Sequence, residues 1–568
     1  MAPSSVEDVL PLSPLQEGML FHSRLDDEDA YVVQSSLDLH GPLDAAALEK
    51  SLATVVARHQ GMRVCFRERS STGEPVQVVR RAAEVPWTRA DLSGLDAAAR
   101  GSAWEELAAS ARTRFDLTRP PLLRALLIRY DECHHRLVLT YHHLIADGWS
   151  FGIVLRETMA VYRGRHGSPT LPPAPPLRDH VSWLSRQDHT AALSAWAEYL
   201  SGISEPSLVA GPQRVEWTWP RTVDSSLGAE LSGRLTRLAR NHEVTLSNLL
   251  HGAWALLLSH LCRRSDVVFG STVSGRPPEV PGCQGMVGLF INTVPVRVRM
   301  EPQDSLIEVC RRLQQGQVAL MPHHFAGLAD IKRASGHQDL IDSTVVFQNY
   351  NESPLGVHAG GPELRISTGP ERMVSSFPLH LVAEPSGDQI LLQLIHSPKV
   401  FDQQTAESLV QHLIRILGQL ADAPGTTVAE LRLASGAELE AGSGGGVRAD
   451  LANPERTLPE LFEPAAGAVV PASAEGTRLS ERERIMCRLF AEVLDTPVER
   501  ADDDFFVLGG HSLLASRLIS RVRTELGVEM SLREFYGWAT PAGVVAGIDS
   551  GAHPSTGRAR PTLRRRVV

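Results

Sequence analysis

The sequence predicts an α/β protein followed by a small helical domain, and three observations carry that expectation. Short apolar runs such as Leu137-Val138-Leu139-Thr140 stand among longer segments whose apolar residues recur at helical spacing, so strands and helices interleave along most of the chain. The run Leu171-Pro172-Pro173-Ala174-Pro175-Pro176 interrupts that pattern, because so many prolines continue neither a helix nor a central strand. Far downstream, Leu514, Leu518, Ile519, Val522 and Leu526 fall on one stripe of a helix.

Taken in order, the first part carries helical segments over residues 44–59 and 95–113, the strand at 137–140, and a helix from about 151 to 162. The proline run is read as the link between two lobes, at residues 1–175 and 176–433. The second lobe has helices expected near 227–242, 246–261 and 405–420, and strands near 267–274 and 389–396. Residues 434–477 are different in kind: Gly442-Ser443-Gly444-Gly445-Gly446 is a flexible composition, and the Ala, Pro and Gly further on build no core. A small domain follows at 478–550. The end, 551–568, carries Arg558, Arg560, Arg564, Arg565 and Arg566 and reads as a solvated basic tail.

Composition bounds the function. A length of 568 residues allows three or four folding units at roughly 150 residues each. The net charge of −10 argues against nucleic acid as a general partner. The cysteines Cys65, Cys133, Cys262, Cys283, Cys310 and Cys487 show no paired spacing and are read as reduced thiols. Nothing at the N-terminus resembles a signal peptide and no apolar run approaches the ~20 residues of a membrane span, so the expectation is a cytoplasmic protein with no membrane partner.

The segment Tyr141-His142-His143-Leu144-Ile145-Ala146-Asp147-Gly148-Trp149-Ser150 is the most informative. Two histidines leave the end of a strand, where neighbouring side chains point to opposite faces, so one should pack against the fold and the other face a cavity. Asp147 can turn back to hold the loop, and Gly148 lets the chain turn sharply before the next helix. A structural histidine pair bonded to backbone is one reading. A metal site would need further ligands at a recognisable spacing, and no metal is expected. A hydrolytic triad lacks a serine in a G-x-S-x-G turn. The remaining reading is a histidine poised beside a transferring group.

His142-His143-x-x-x-Asp147-Gly148 resembles the signature of nonribosomal peptide synthetase condensation domains, shared with chloramphenicol acetyltransferase-like acyltransferases. Companion segments stand in the family's order: Leu12-Ser13-Pro14-Leu15-Gln16-Glu17-Gly18-Met19-Leu20-Phe21-His22, Arg58-His59-Gln60-Gly61-Met62-Arg63-Val64-Cys65-Phe66 and Arg178-Asp179-His180-Val181-Ser182-Trp183. Gly275-Arg276-Pro277, then Val287-Gly288-Leu289-Phe290-Ile291-Asn292-Thr293-Val294-Pro295-Val296-Arg297, and Phe347-Gln348-Asn349-Tyr350 complete the series. Downstream, Asp504-Phe505-Phe506-Val507-Leu508-Gly509-Gly510-His511-Ser512-Leu513-Leu514 is similar to the attachment site of peptidyl carrier proteins, where a serine at a helix start receives 4′-phosphopantetheine. Gly509-Gly510 permits a tight turn, and a helix N-terminus favours the phosphodiester's negative charge, whereas the plainer role of Ser512 is an N-cap.

The resemblance implies two chloramphenicol acetyltransferase-like αβ lobes in a V, with a tunnel between them that admits two phosphopantetheine arms, and then a small four-helix-bundle carrier domain. Thr457-Leu458-Pro459-Glu460-Leu461-Phe462-Glu463 looks like the opening of an adenylation domain and Leu479-Ser480-Glu481-Arg482-Glu483 like the lead-in to a carrier, with the several hundred residues normally between them missing. The implied function is amide formation between a carrier-bound acyl or peptidyl donor and a carrier-bound aminoacyl acceptor, the subclass resembling that which takes a D-configured donor residue. The implied partners are an upstream donor carrier protein, a phosphopantetheinyl transferase and an adenylating enzyme acting in trans, on a chain that is monomeric. Ester formation, transfer to a soluble amine or alcohol, and a non-catalytic recruitment platform are the alternatives. His143 is the residue implied to stand beside the nucleophilic amine, as general base or as orienting group. His142 is implied to be structural, and Gly148 to keep the acceptor approach clear. Asp147 is assigned to loop geometry through a bidentate pair with Arg276 of the other lobe. Asn292 and Asn349 are weaker candidates, since buried asparagines commonly satisfy backbone.

Overall fold

The computed structural model describes residues 5–25, 31–69, 74–164, 171–210, 219–337, 339–348, 364–369, 377–433 and 480–550, the last range without 495, 499, 506–507, 509–511, 529, 531–533 and 536–537. The described residues fall into two compact units on either side of the Ala466–Gly467 bond. Asn349, Tyr350, the 434–477 segment and the basic tail lie outside the described residues.

The first unit begins with β1 (Val6–Pro11), α1 (Pro14–Leu25), β2 (Val32–His40), α2 (Ala45–Arg58), β3 (Val64–Glu68), β4 (Pro75–Arg80) and β5 (Trp87–Asp91). It continues with α3 (Ala97–Ala111), β6 (Leu123–Arg129), β7 (His134–His142), α4 (Gly148–Arg163), α5 (Leu177–Leu184), α6 (His189–Tyr199) and β8 (Arg221–Ser226). Then come α7 (Gly228–Asn241), α8 (Leu246–Cys262), β9 (Asp266–Val273), β10 (Asn292–Arg299), α9 (Leu306–Leu320), α10 (Leu328–Ser335) and β11 (Ser343–Phe347). β12 (Arg365–Thr368), β13 (Leu379–Ser386), β14 (Gln389–His396) and α11 (Gln403–Asp422) close it.

Local chemistry fixes many helix starts. Asp44, Asp96, Asp188 and Asp402 each accept the backbone N–H three residues on, satisfying a donor that the first helical turn leaves open. Ser13 and Gln16 form a reciprocal capping box at the start of α1. Periodicity fixes the faces. In β7, Leu137, Leu139 and Tyr141 enter the main first-lobe core while Val138 packs under Trp104 and Ala108 of α3, so both faces are covered and the segment reads as continuously apolar. α8 is apolar almost all round because it runs through the centre of the second lobe, where Leu249 to Ser259 are buried throughout.

Three sheets result. The first lobe has a five-stranded sheet in the order β12-β2-β7-β6-β5 and a three-stranded sheet β1-β4-β3; the second has a six-stranded sheet β10-β9-β11-β13-β14-β8. Two second-half segments cross over. β12 pairs antiparallel with β2, and Val280, Cys283, Met286, Val287, Leu289 and Phe290 are buried in the first-lobe core. The division at the proline run is therefore one of sequence, since the chain returns to complete the first lobe.

The second unit holds α12 (Glu481–Leu494), α13 (Ser512–Leu526) and α14 (Pro541–Asp549), with helical residues also at Glu534, Phe535 and Trp538. Phe490, Phe505 and Phe535 meet edge to face with ring centres 5.0 to 5.9 Å apart, and Leu514, Leu518, Ile519 and Val522 of the α13 stripe are buried with them. Among the described residues no helix is long and apolar enough to cross a membrane, and no cluster of His, Cys, Asp and Glu could hold a metal ion.

Candidate functional site

β7 ends at His142, and His143 opens a short 3₁₀ turn to Ile145 before α4. The two rings occupy different surroundings. His142 is fully buried; its Nδ1 accepts the Leu144 N–H at 3.1 Å, which leaves the proton on Nε2, 3.4 Å from Ser23 Oγ. His143 is anchored by its backbone N–H to the Tyr31 carbonyl at 2.8 Å, while its Nδ1 is buried without a hydrogen-bond partner. Burial lowers the pKa of His143 against the opposing pull of the Asp147 carboxylate, so the ring is neutral near pH 7.

Asp147 is fully buried and makes more contacts than loop geometry alone would need. Oδ1 caps α4 by accepting the Ser150 N–H at 2.8 Å, and Oδ2 accepts the N–H groups of Phe290 at 2.9 Å and Ile291 at 3.3 Å from the returning loop. Arg276 Nη2 stands 3.4 Å from Oδ1 in a single contact, so the pair is not the bidentate one expected. The reason is that the guanidinium is committed elsewhere. Nη1 donates to the carbonyls of Cys283 and Met286, Nη2 donates to Ser150 Oγ at 2.7 Å, and the plane lies 4.2 Å over the Phe290 ring. Ser150 Oγ in turn donates to the Gly288 carbonyl at 2.6 Å, and Trp149 Nε1 donates to the Gln284 carbonyl at 2.8 Å.

Two glycines are required by this closure. Gly275 has φ of +57°, and a Cβ there would fall on the Phe290 carbonyl oxygen; a Cβ on Gly61 would meet the Val287 carbonyl. Gly148 corrects an expectation: it is the exposed first residue of α4 with no positive φ, and the turn is made by the extended backbone of Asp147 at φ −89° and ψ 174°. Asn292 spends its amide on backbone, donating to the carbonyls of His324 at 2.8 Å and Ala326 at 2.7 Å.

The sequence reasoning passed over several contributors. Gln16, in the N-terminal motif, donates to the Leu144 carbonyl at 3.0 Å and so holds the histidine turn from outside. His180 lies edge-on to Phe290 and bonds the Gly275 carbonyl at 3.1 Å; burial holds its pKa down to about 4. Ser150 falls just before the helix expected from about residue 151, whereas α4 starts at Gly148 under an Asp147 cap and makes Ser150 its third residue, bonded to the far loop. On the second unit, Ser512 is the first residue of α13, so a group attached there meets the unpaired N–H groups of a helix start; its side chain, and Gly509, Gly510 and His511, lie outside the described residues. That backbone setting fits a phosphodiester.

Residues 6–441 match the family described as Condensation domain, and the chain belongs to that family; residues 484–548 match the family described as Phosphopantetheine attachment site, the domain that carries 4′-phosphopantetheine. Residues 442–483 alone separate the two matches. The relatives are multidomain synthetases. Bacitracin synthase 1 of Bacillus licheniformis is 33% identical over 443 residues, 76% of this chain and 8% of that protein. Surfactin synthase subunit 3 of Bacillus subtilis (strain 168) is 33% identical over 447 residues, 77% of this chain and 34% of that protein. The chain thus spans a small part of the length of the curated relatives it matches. The first condensation domain of the calcium-dependent antibiotic synthetase, solved with a substrate analogue, shares the fold with a TM-score of 0.65 at 22% identity over 76% of this chain and 100% of that one. The X-domain from teicoplanin biosynthesis also shares it, with a TM-score of 0.65 at 24% identity over 76% of this chain and 99% of that one.

Proposed function

We propose that this chain joins a carrier-bound acyl or peptidyl donor to a carrier-bound aminoacyl acceptor through an amide bond, and that its own carrier domain is loaded by a separate adenylating enzyme. The observation that carries the reading is the His143 imidazole, neutral and with an unpartnered Nδ1, on a turn held by Gln16 on one side and by the Asp147–Ser150–Arg276 cluster on the other. When bound at Ser512, phosphopantetheine supplies a terminal thiol on a long arm. This chain's residues then have to bring the amine to the donor. The nitrogen attacks the thioester carbon, the C–N bond forms, the C–S bond breaks, and the proton lost by the amine ends on the departing sulfur. A neutral His143 takes or orients that proton, and holding both partners in one chamber makes the step effectively unimolecular. His142 keeps the turn in shape, and Gly148 leaves the acceptor's approach open.

The fold is shared with an X-domain, so fold by itself does not separate an enzyme from a recruitment platform; the intact His142-His143-x-x-x-Asp147-Gly148 run favours the enzyme. The test is reconstitution with the protein converted by a phosphopantetheinyl transferase and coenzyme A. Given a charged donor carrier and an aminoacylated Ser512 arm, the intact mass of the carrier should rise by the donor acyl group. Release of free acid with no mass gain would overturn the reading. ATP and amino acids alone should leave the holo protein unchanged in mass, and self-aminoacylation would overturn loading in trans.

A further inference from the structure

α1 runs past the histidine turn, and its buried stripe is not wholly apolar. Met19 and Leu20 enter the first-lobe core, while Gln16 and Ser23, seven residues apart and so on the same face, are buried beside them. Both polar side chains serve the backbone of one residue. Gln16 Nε2 donates to the Leu144 carbonyl at 3.0 Å. The Leu144 N–H is taken by His142 Nδ1 at 3.1 Å, and the other nitrogen of that ring stands 3.4 Å from Ser23 Oγ.

Groups outside the turn aim this grip. Gln16 Oε1 accepts the Ser13 N–H at 2.9 Å, which leaves the donor end of the amide for Leu144. Gln77 of β4, whose Nε2 donates to the Pro11 carbonyl at 2.8 Å, presents its Oε1 to the same Gln16 nitrogen at 3.5 Å. His143 depends on the grip because no hydrogen bond at Nδ1 holds its ring among the described residues. Its backbone is tied by its N–H to the Tyr31 carbonyl at 2.8 Å and by its carbonyl to the Ala146 N–H at 3.3 Å. The direction of the ring therefore follows the backbone of the turn, and the next residue in that backbone is the one that α1 holds at both its N–H and its C=O.

Resting on the condensation reading, we propose that Gln16 and Ser23 are positioning residues of the amide-forming step, acting through the backbone of Leu144 on the direction of the His143 imidazole. Gln16 holds the Leu144 carbonyl directly. Ser23 accepts from His142 Nε2 and so keeps Nδ1 of that ring as the acceptor for the Leu144 N–H. Neither residue touches the reacting atoms. The effect on rate is large nonetheless, since a displacement of about 1 Å at a reacting group costs roughly a hundred-fold.

Q16M keeps the length of the side chain and removes its donor; S23A removes the hydroxyl and S23T keeps it. With saturating donor carrier and an aminoacylated Ser512 arm, Q16M should condense about ten-fold or more slowly, while the donor concentration at half-maximal rate stays within about two-fold of wild type. S23A should lose about three-fold or more, and S23T should regain most of that. Q16M condensing within about two-fold of wild type overturns the proposal, as does a loss carried by the half-saturating concentration alone. If Q16M does not fold, the serine pair decides, and equal rates in S23A and S23T overturn it. A second measurement needs no activity. In the whole protein with labelled histidine, the His143 ring signal, identified by its loss in H143Q, should move in Q16M and S23A, while that of His251 on α8 stays in place. A His143 signal that keeps its position in both variants overturns the positioning role. A wild-type protein that forms no amide sinks the condensation reading, and the ring signal still reports whether α1 sets the direction of His143.

Discussion

Asp147 and Arg276 meet through one contact of 3.4 Å, while each keeps its shorter bonds for other partners: Asp147 for the backbone of Ser150, Phe290 and Ile291, Arg276 for Ser150 Oγ and two loop carbonyls. The pair is therefore a node that fastens the loop at 283–291 to the start of α4, with both side chains inaccessible to water. Asp147→Ala strands a buried guanidinium and unpairs three backbone donors, and should lower stability by about 3–5 kcal/mol. Asp147→Asn keeps one acceptor for the cap and should lose less. Thermal melting of the two variants checks the order; equal melting of wild type and Asp147→Ala would break the account.

The two histidines should separate in the same assay. His143→Ala should abolish product while melting within a few degrees of wild type, because the Nδ1 it removes holds nothing in place. His142→Ala removes a fully buried ring bonded to the Leu144 N–H and should cost about 2–4 kcal/mol. A His143→Ala protein that condenses at the wild-type rate would end the assignment.

Gly275→Ala tests the loop closure without touching a polar group. Its Cβ would collide with the Phe290 carbonyl and its φ of +57° disfavours any side chain, so soluble yield should collapse. Gly233→Ala on α7, where a Cβ meets only the end of the Arg237 side chain at 3.6 Å, is the control that should express normally.

Acid should unfold the first unit early. His180, His251, His324 and His380 are buried with pKa values held down to about 4, mainly by desolvation. The unfolded chain binds these protons near pH 6.5 and the folded chain only near 4, so stability is full above about 6.5 and falls as pH drops between those values. Each histidine contributes roughly 1 kcal/mol per pH unit in that window. Urea midpoints at pH 7.5, 6 and 5 should decline with increasing slope; a midpoint flat down to pH 5 contradicts the burial of these rings.

Thiol counting checks the carrier. Cys262, Cys283 and Cys310 have their thiols pushed up to about 12 by burial, and Cys133 is the exposed cysteine. One fast-reacting thiol is expected in the apo protein and a second after phosphopantetheinyl transfer. Ser512→Ala should remove the second and leave the first.

Much of this protein is determined by its sequence alone. Several of the segments that period singles out match the structure to within a residue or two: 44–59 became Ala45–Arg58, 246–261 became Leu246–Cys262, and 389–396 became Gln389–His396. These signals are local, arising from side-chain spacing and from carboxylates three residues ahead of open N–H groups. The histidine turn and the carrier serine were legible for the same reason, each being a short contiguous run.

Apart from the pairing of Asp147 with Arg276, which the resemblance implied, the relationships that join distant segments lay beyond reach. The return of β12 to the first-lobe sheet, the burial of the loop at 283–291 under α4, and the turning of Arg276 from a bidentate partner into a clamp on loop carbonyls depend on which backbone groups are left unpaired once the lobes close. Gly148 shows the same limit in reverse. Its glycine suggests a sharp turn, yet only the folded backbone reveals that Asp147, by capping α4 with an extended φ and ψ, makes that turn instead.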